Sequence, residues 1–299
     1  MTGEEIAAAA QLACLLEVSA PKPGNVAPGL HFHDTRYEDF LASAVAIGPP
    51  LARAGERPLG ATIRAAVEAT RRLTGRNTNL GMVLLLAPLC RAAARALGGP
   101  GASLGEKGGL RGAVERVLEE TTVADAEEVY AAIRLAAPGG LGTAPSQDVA
   151  GRPTVPLREA MALARERDAV AGEYATGFAL TFDLGAPALR RARADRLDWT
   201  DATVETYLRI LATVPDSHIA RKLGRAAAER VTGKAREIEG LGGVRSTAGR
   251  AALRALDAEL RDERNAWNPG TTADLTGAAL CVVILEDGWR SAGDGLRAG

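Results

Sequence analysis

Five short polar stretches hold the residues of this 299-residue chain that could do chemistry. The first is Ser19-Ala-Pro-Lys-Pro-Gly-Asn25, with Glu17 before it and His33-Asp34 beyond it. The second is Asn77-Thr78-Asn79, the third joins Asp168 with Glu173, the fourth joins Asp216 with Arg221, and the fifth runs from Asn268 to Asp274. Pro21 and Pro23 fix φ and offer no N–H, while Gly24 permits close backbone approach, so Lys22 belongs on a short stiff loop suited to a polyanion. The same spacing also describes a helix-ending turn with a solvated lysine. Carboxylates gathered with a lysine and an arginine suit a divalent cation on a polyphosphate, because Mg²⁺ takes a few oxygen ligands and shares phosphate oxygens. Taken singly, each carboxylate also reads as a helix cap or a surface ion pair.

Other chemistries fit less well. The three histidines, His31, His33 and His218, have no cysteine or HExxH partner that would complete a zinc site. Cys14, Cys90 and Cys281 each lie in an apolar segment without CxxC spacing, which reads as buried thiols in a reducing, cytoplasmic setting. No GxSxG elbow occurs, and the glycine-rich run at 98–110 has neither the preceding strand nor the spacing of a dinucleotide loop.

Each polar stretch adjoins a helix. Residues 4–18 form the first, with Thr2 or Gly3 near its cap, and it delivers Glu17 beside the KPGN turn. A second helix over 37–47 stops at Gly48-Pro49-Pro50, and a third covers 61–73. Asn77 and Thr78 then stand where the cap of the apolar helix 80–95 belongs, a position that also attracts anions. Two helices share 111–136, and a break at 138–142 leads into an extended loop over 143–156 with Asp148. The span 157–182 reads as one long or broken helix carrying Asp168 and Glu173, ended by Asp183 to Pro187.

Val204, Tyr207, Leu208 and Leu211 mark an amphipathic helix over 203–213. Asp216 precedes a helix starting near Ile219, whose first turns hold Arg221 and Lys222, where the dipole disfavours cations unless an anion is bound. After a glycine-rich loop at 240–249, a polar helix runs to Arg264, and residues 265–272 cap the last apolar helix, 273–286, with Asp274 in its first turn. Alternating β-branched runs and fixed-period repeats are missing, so the chain reads as all-α: one compact multi-helix bundle over 1–299 with polar turns at its helix ends.

Bulk properties agree. Hydrophobic residues make up 46% of the chain and aromatics only 4%, which favours close helix packing over a β-sandwich. A formal net charge of −1 argues against nucleic acid or an anionic membrane as partner. The apolar runs fall short of the roughly 20 residues of a membrane span. Small charged molecules remain as partners, and a homodimer stays open.

In this order, the stretches resemble the triphosphoribosyl-dephospho-coenzyme A synthase family. Its Glu, KPG and His-Asp run looks like Glu17, Lys22-Pro23-Gly24 and His33-Asp34, followed by Asp39-Phe40 and Ser43-Ala44. Its Asn-Thr-His-Lys-Gly motif is similar to Asn77-Thr78-Asn79-Leu80-Gly81, and its Arg-Gly-Glu-Ala-x-x-Gly-Phe motif to Ala171 through Phe178. The later Asp-x-x-x-x-Arg-Lys-x-Gly resembles Asp216 to Gly224, and Pro-Gly-x-x-Ala-Asp-Leu resembles Pro269 to Leu275. Asn79 and Leu80 stand in place of that family's His and Lys, and Ala171 in place of its Arg.

The resemblance implies an all-helical enzyme that joins the ribosyl triphosphate of ATP to a ribose hydroxyl of dephospho-coenzyme A and releases adenine. Under it, Mg²⁺ with Lys22 and Arg221 would neutralise the triphosphate, and Glu17, Asp216 and Asp274 are the candidate metal ligands. Glu173 or Asp34 would take the proton of the attacking hydroxyl, and His33 or Asn77 would serve the leaving base. Asn25, Thr78, Asn79 and Asn268 complete the expected nucleotide-binding set. A phosphoryl or phosphoribosyl transferase, an N-glycoside hydrolase and a non-catalytic nucleotide-binding relative are the alternatives.

Overall fold

The computed structural model describes residues 1–97 and 108–289. Helix α1, Gly3–Ser19, opens on a capping box in which the Thr2 hydroxyl accepts from Glu5 N at 3.2 Å and Thr2 N donates to the Glu5 carboxylate at 2.7 Å. It is followed by α2 (Tyr37–Ala46), α3 (Gly48–Ala52), α4 (Leu59–Thr74), α5 (Leu80–Leu97), α6 (Gly109–Glu119) and α7 (Val123–Ala136). An irregular stretch over 137–156 precedes α8 (Leu157–Ala162) and α9 (Ala169–Thr176). A π-helical turn, Leu180–Gly185, runs directly into α10 (Ala186–Ala194). Next come α11 (Trp199–Thr213), α12 (Ser217–Leu223), α13 (Arg225–Gly240), a 3₁₀ turn at Gly243–Arg245, α14 (Thr247–Leu260) and α15 (Gly270–Asp287). The described residues contain no strand beyond one isolated bridge, Ala27 to Leu30, so the all-α expectation holds.

Several expected boundaries move, each for a local reason. Pro49 and Pro50 start α3 instead of merely stopping α2, because proline fits the first turn, where no N–H is needed. The 157–182 span breaks after α8, and Asp183 to Pro187 does not end it: the π turn carries the backbone into α10, again with proline in the first turn. Helix α12 has only seven residues, so Arg221 and Lys222 fall in its last turn, where the dipole favours cations. Residues 98–107 of the glycine-rich run lie outside the described residues, and Gly109 already belongs to α6. Of the glycine-rich loop at 240–249, Gly240 closes α13 and Thr247 opens α14.

Helix α15 is the axis of the packing. It lies against α1, α5, α10 and α11, and between residues 271 and 285 fourteen of its side chains are buried. A helix apolar all round must be enclosed, at about 1.5–3 kcal/mol for each large aliphatic side chain removed from water. Asp274 is the sole member of that span left partly open. One core cluster gathers α1 to α10 with α15, and a second gathers Tyr207, Leu208 and Leu211 of α11 with α12, α13 and α14.

Candidate active site

Asp274 opens into a cavity of about 480 Å³, a size typical of small-molecule sites. Its floor is made by α1, α5 and α15, which contribute Cys14 and Glu17, Leu80 and Gly81, and Ala273 and Asp274. Gly81 leaves room for the Asp274 carboxylate, since a Cβ there would lie 2.0 Å from Oδ2. Among the described residues nothing donates a hydrogen bond to the Asp274 carboxylate. Burial, followed by the charges of Glu17, Asp216 and Asp168, holds its pKa well above the usual carboxylate range. A lone carboxylate desolvated among other carboxylates is a place for a cation.

Glu17 lines the same floor, but Lys22 does not line the cavity at all. The Lys22 side chain is wholly buried, with its ammonium 3.0 Å from Glu17 Oε1 and donating to the Glu17 and Ala20 carbonyls. All three N–H groups are thus consumed in closing the end of α1. The expected triphosphate lysine is a buried helix stop.

Two expected carboxylates are also taken. Asp216 accepts from His218 N and Ile219 N through Oδ1, and from Thr272 N and Thr272 Oγ1 through Oδ2, at 2.7–3.0 Å. It caps α12 and ties it to α15, which leaves no lone pair directed at a metal. Glu173 is fully buried away from the cavity, where Leu180 N at 2.8 Å, Thr181 N at 2.9 Å and the Thr181 hydroxyl donate to it. It fastens the π turn to α9, so the structure removes it from the reacting region.

Cations stand on the cavity wall instead. Arg221 and Lys222 from α12, Arg167 before α9 and Arg264 after α14 all line it. Arg221 pairs with Asp168, which caps α9 through Val170 N and Ala171 N, and its Nε is buried without a partner. Lys222 donates to Asn265 O at 3.0 Å. At the start of α5, Asn77 Oδ1 accepts from Leu80 N at 3.2 Å, Thr78 Oγ1 bonds to the Ser43 hydroxyl, and Asn79 Nδ2 lies 3.5 Å from Ser43 O. Asp34 reaches the cavity mouth, whereas His33 faces a shallow outer groove with His31 and Arg36. Asn265 Nδ2 holds both, at 3.1 Å from His33 Nδ1 and 3.3 Å from Asp34 Oδ1.

A chain of amides backs the same wall behind α12. Tyr207 OH donates to Pro23 O at 2.8 Å and receives Asn25 Nδ2 at 3.1 Å. Asn268 Nδ2 donates to Gly24 O at 2.9 Å and to Asn25 Oδ1 at 3.3 Å, and Asn268 Oδ1 faces His218 Nδ1 at 3.3 Å. Burial, with Lys222 and Arg221 nearby, pushes the His218 imidazole down to about 3, so it is neutral at physiological pH.

Set against known families, residues 3–292 match the model described as ATP:dephospho-CoA triphosphoribosyl transferase. The chain belongs to this family. A Pseudomonas fluorescens protein and an Azotobacter vinelandii protein, both provisionally named 2-(5''-triphosphoribosyl)-3'-dephosphocoenzyme-A synthase, are 32% and 35% identical to it over 116 and 125 residues. Those matches span 39% and 41% of this chain and only 39% and 42% of the relatives' own lengths. A crystal structure from Archaeoglobus fulgidus, provisionally titled triphosphoribosyl-dephospho-coA synthase, superposes with a TM-score of 0.62 at 28% identity, covering 84% of this chain and all of that one. Within this triphosphoribosyl transferase framework, the departures at Asn79, Leu80 and Ala171, where the family motifs have His, Lys and Arg, all line the cavity.

The residues fit a divalent cation only with outside help. Among the described residues no group of three or more His, Cys, Asp or Glu side chains is set to hold a metal. Asp274 and Glu17 can offer two carboxylates, a number that suits Mg²⁺ when phosphate and water supply the rest. Arg167, Lys222, Arg264, Asn265 and His218 escaped the sequence reading as site residues. Only Lys222 and His218 carried a usable signal there, as polar neighbours of Asp216 and Arg221. No described helix is long and apolar enough to cross a membrane.

Proposed function

We propose that this chain transfers the ribosyl triphosphate of ATP to a hydroxyl of dephospho-coenzyme A and releases adenine. The observation that carries this reading is the pairing, in one cavity of about 480 Å³, of the unpartnered Asp274 carboxylate on the floor with Arg167, Arg221, Lys222 and Arg264 on the wall. A magnesium polyphosphate needs that combination, and a neutral substrate does not. Family membership points the same way.

In this scheme Asp274 and Glu17 would hold Mg²⁺, which would supply charge neutralisation for the triphosphate. Arg221 and Lys222 bind the phosphate oxygens; burial lowers the Lys222 pKa, and a bound phosphate acts against that shift. The C1′–N9 bond breaks as the acceptor oxygen bonds to C1′. Asp34, held at the mouth by Asn265, takes the acceptor's hydroxyl proton. Asn77, whose amide nitrogen has no protein partner among the described residues, hydrogen-bonds to the departing adenine, which takes its proton from water while Asp34 returns the acceptor's proton to solvent. Thr78, Asn79, Asn25 and Asn268 shape the nucleotide's surroundings. Residues 1–299 act as one unit, since α15 belongs to the larger core and packs on α11 and α12 of the smaller one. Three buried free thiols favour a cytoplasmic setting.

Incubation with ATP, Mg²⁺ and dephospho-coenzyme A, followed by mass analysis, tests this. Adenine that appears only with the acceptor, together with a triphosphoribosyl adduct, is the expected result. Adenine without the acceptor would mean hydrolysis, ADP a kinase, and bound but unconverted ATP a binding protein.

A further inference from the structure

The amide chain behind the cavity fixes the proton on His218. Gly24 O is a carbonyl, so the Asn268 group donating to it at 2.9 Å must be the NH₂, and the amide oxygen therefore faces His218. That oxygen can only accept, which places the imidazole proton on Nδ1 and a lone pair on Nε2. Asn25 continues the same polarity, since its own NH₂ is engaged by Pro23 O and Tyr207 OH and its oxygen receives Asn268. Gly270 keeps the contact close, because a Cβ there would lie 2.5 Å from His218 Nδ1 and 2.7 Å from Asn268 Oδ1. Nε2 has no protein partner among the described residues, yet it is not one of the sealed, unsatisfied atoms, so it opens to the cavity that the ring lines.

An acceptor held in one tautomer, on a wall otherwise rich in cations, rejects phosphate oxygens and asks for a donor. We propose that His218 Nε2 accepts a hydrogen bond from a ribose hydroxyl of a bound substrate and so serves as a specificity residue, with Asn268, Asn25 and Tyr207 as its positioning residues. This rests on the nucleotide reading of the cavity. The hydroxyl belongs either to ATP or to the acceptor nucleotide, and the two have the same chemistry.

The test compares wild type with His218→Phe and His218→Gln, checked for an unchanged melting profile, by calorimetric binding of ATP, 2′-deoxy-ATP and 3′-deoxy-ATP, and of dephospho-coenzyme A and its 2′-deoxy and 3′-deoxy forms. Wild type should bind one parent about tenfold more tightly than one of its deoxy analogues, from the loss of a buried acceptor's partner. His218→Phe should bind that parent and analogue alike, and His218→Gln, which keeps an acceptor, should restore most of the preference. The arm that shows the preference identifies the source of the hydroxyl. Wild type indifferent in every arm, or His218→Phe as discriminating as wild type, would overturn the assignment. Adenine release is scored separately on wild type: discrimination without release keeps His218's role and refutes the transfer reaction.

Discussion

Replacing Asp274 with Asn keeps the shape of the cavity floor and removes the charge that three other carboxylates and burial oppose. The folded-state pKa of Asp274 is raised, so its cost to stability is absent below about pH 3.9, where the unfolded chain is also protonated. That cost grows as pH rises from there toward the folded value, and it is complete above it. The uncharged amide of the variant carries no such cost. Removing the charge of a desolvated carboxylate, and leaving an amide that is still unpartnered, is worth about 1–2 kcal/mol, or roughly 2–5 °C in melting temperature for a chain of this size. Asp274→Asn should therefore melt above wild type at pH 7–8, and the gap should close as pH falls toward 4. Differential scanning fluorimetry without divalent ions measures this directly. With Mg²⁺ and ATP at about 100 times their dissociation constant, wild type should gain about 2.7 kcal/mol of stability, and the variant should lose most of that gain along with about 100-fold in adenine release. A variant that melts below wild type at neutral pH, a gap indifferent to pH, or equal stabilisation of both proteins by Mg²⁺-ATP would refute the reasoning.

Glu173→Gln should cost about 1–3 kcal/mol, because its NH₂ must face one of the donors from Leu180 or Thr181, while leaving the turnover number of the folded protein unchanged; thermal melts and adenine release read the two effects separately. Lys22→Met leaves the Glu17 carboxylate buried without its cation and should destabilise by about 3–5 kcal/mol in urea titrations. A Lys22 that bound phosphate would show instead as weakened ATP affinity at unchanged stability. Gly81→Ala pushes a methyl against Asp274 and should cost about 1–3 kcal/mol and also weaken the Mg²⁺ dependence of ATP binding, measured by calorimetry.

The helices themselves were legible in the sequence because their signals are local. Thr2 near the cap of α1, Asn77 before Leu80 and the i, i+3, i+4, i+7 run of α11 each announced an element that exists. Boundaries failed at Pro49-Pro50 and at Asp183 to Pro187, where proline serves equally to end one helix and to begin another. The polar stretches were found as well, and each sends residues to the cavity, but which of their members do so was not legible. Lys22, Asp216 and Glu173 have the residue types of a site, yet their atoms are spent on backbone donors and acceptors that only the fold brings near. Asp274 looks the same in sequence and keeps its lone pairs. Arg167 and Arg264 come from turns with no motif around them, so nothing in their spacing announced them.

The helix that seats Asp274 is also the one on which the larger core closes, and it packs against the smaller. Floor and framework are a single part, and a change that shifts the first strains the second. Novelty in what the cavity accepts must therefore arise at the lip, at the turn of His33 and Asp34 and at Arg264 and Asn265, which lie outside both packed cores.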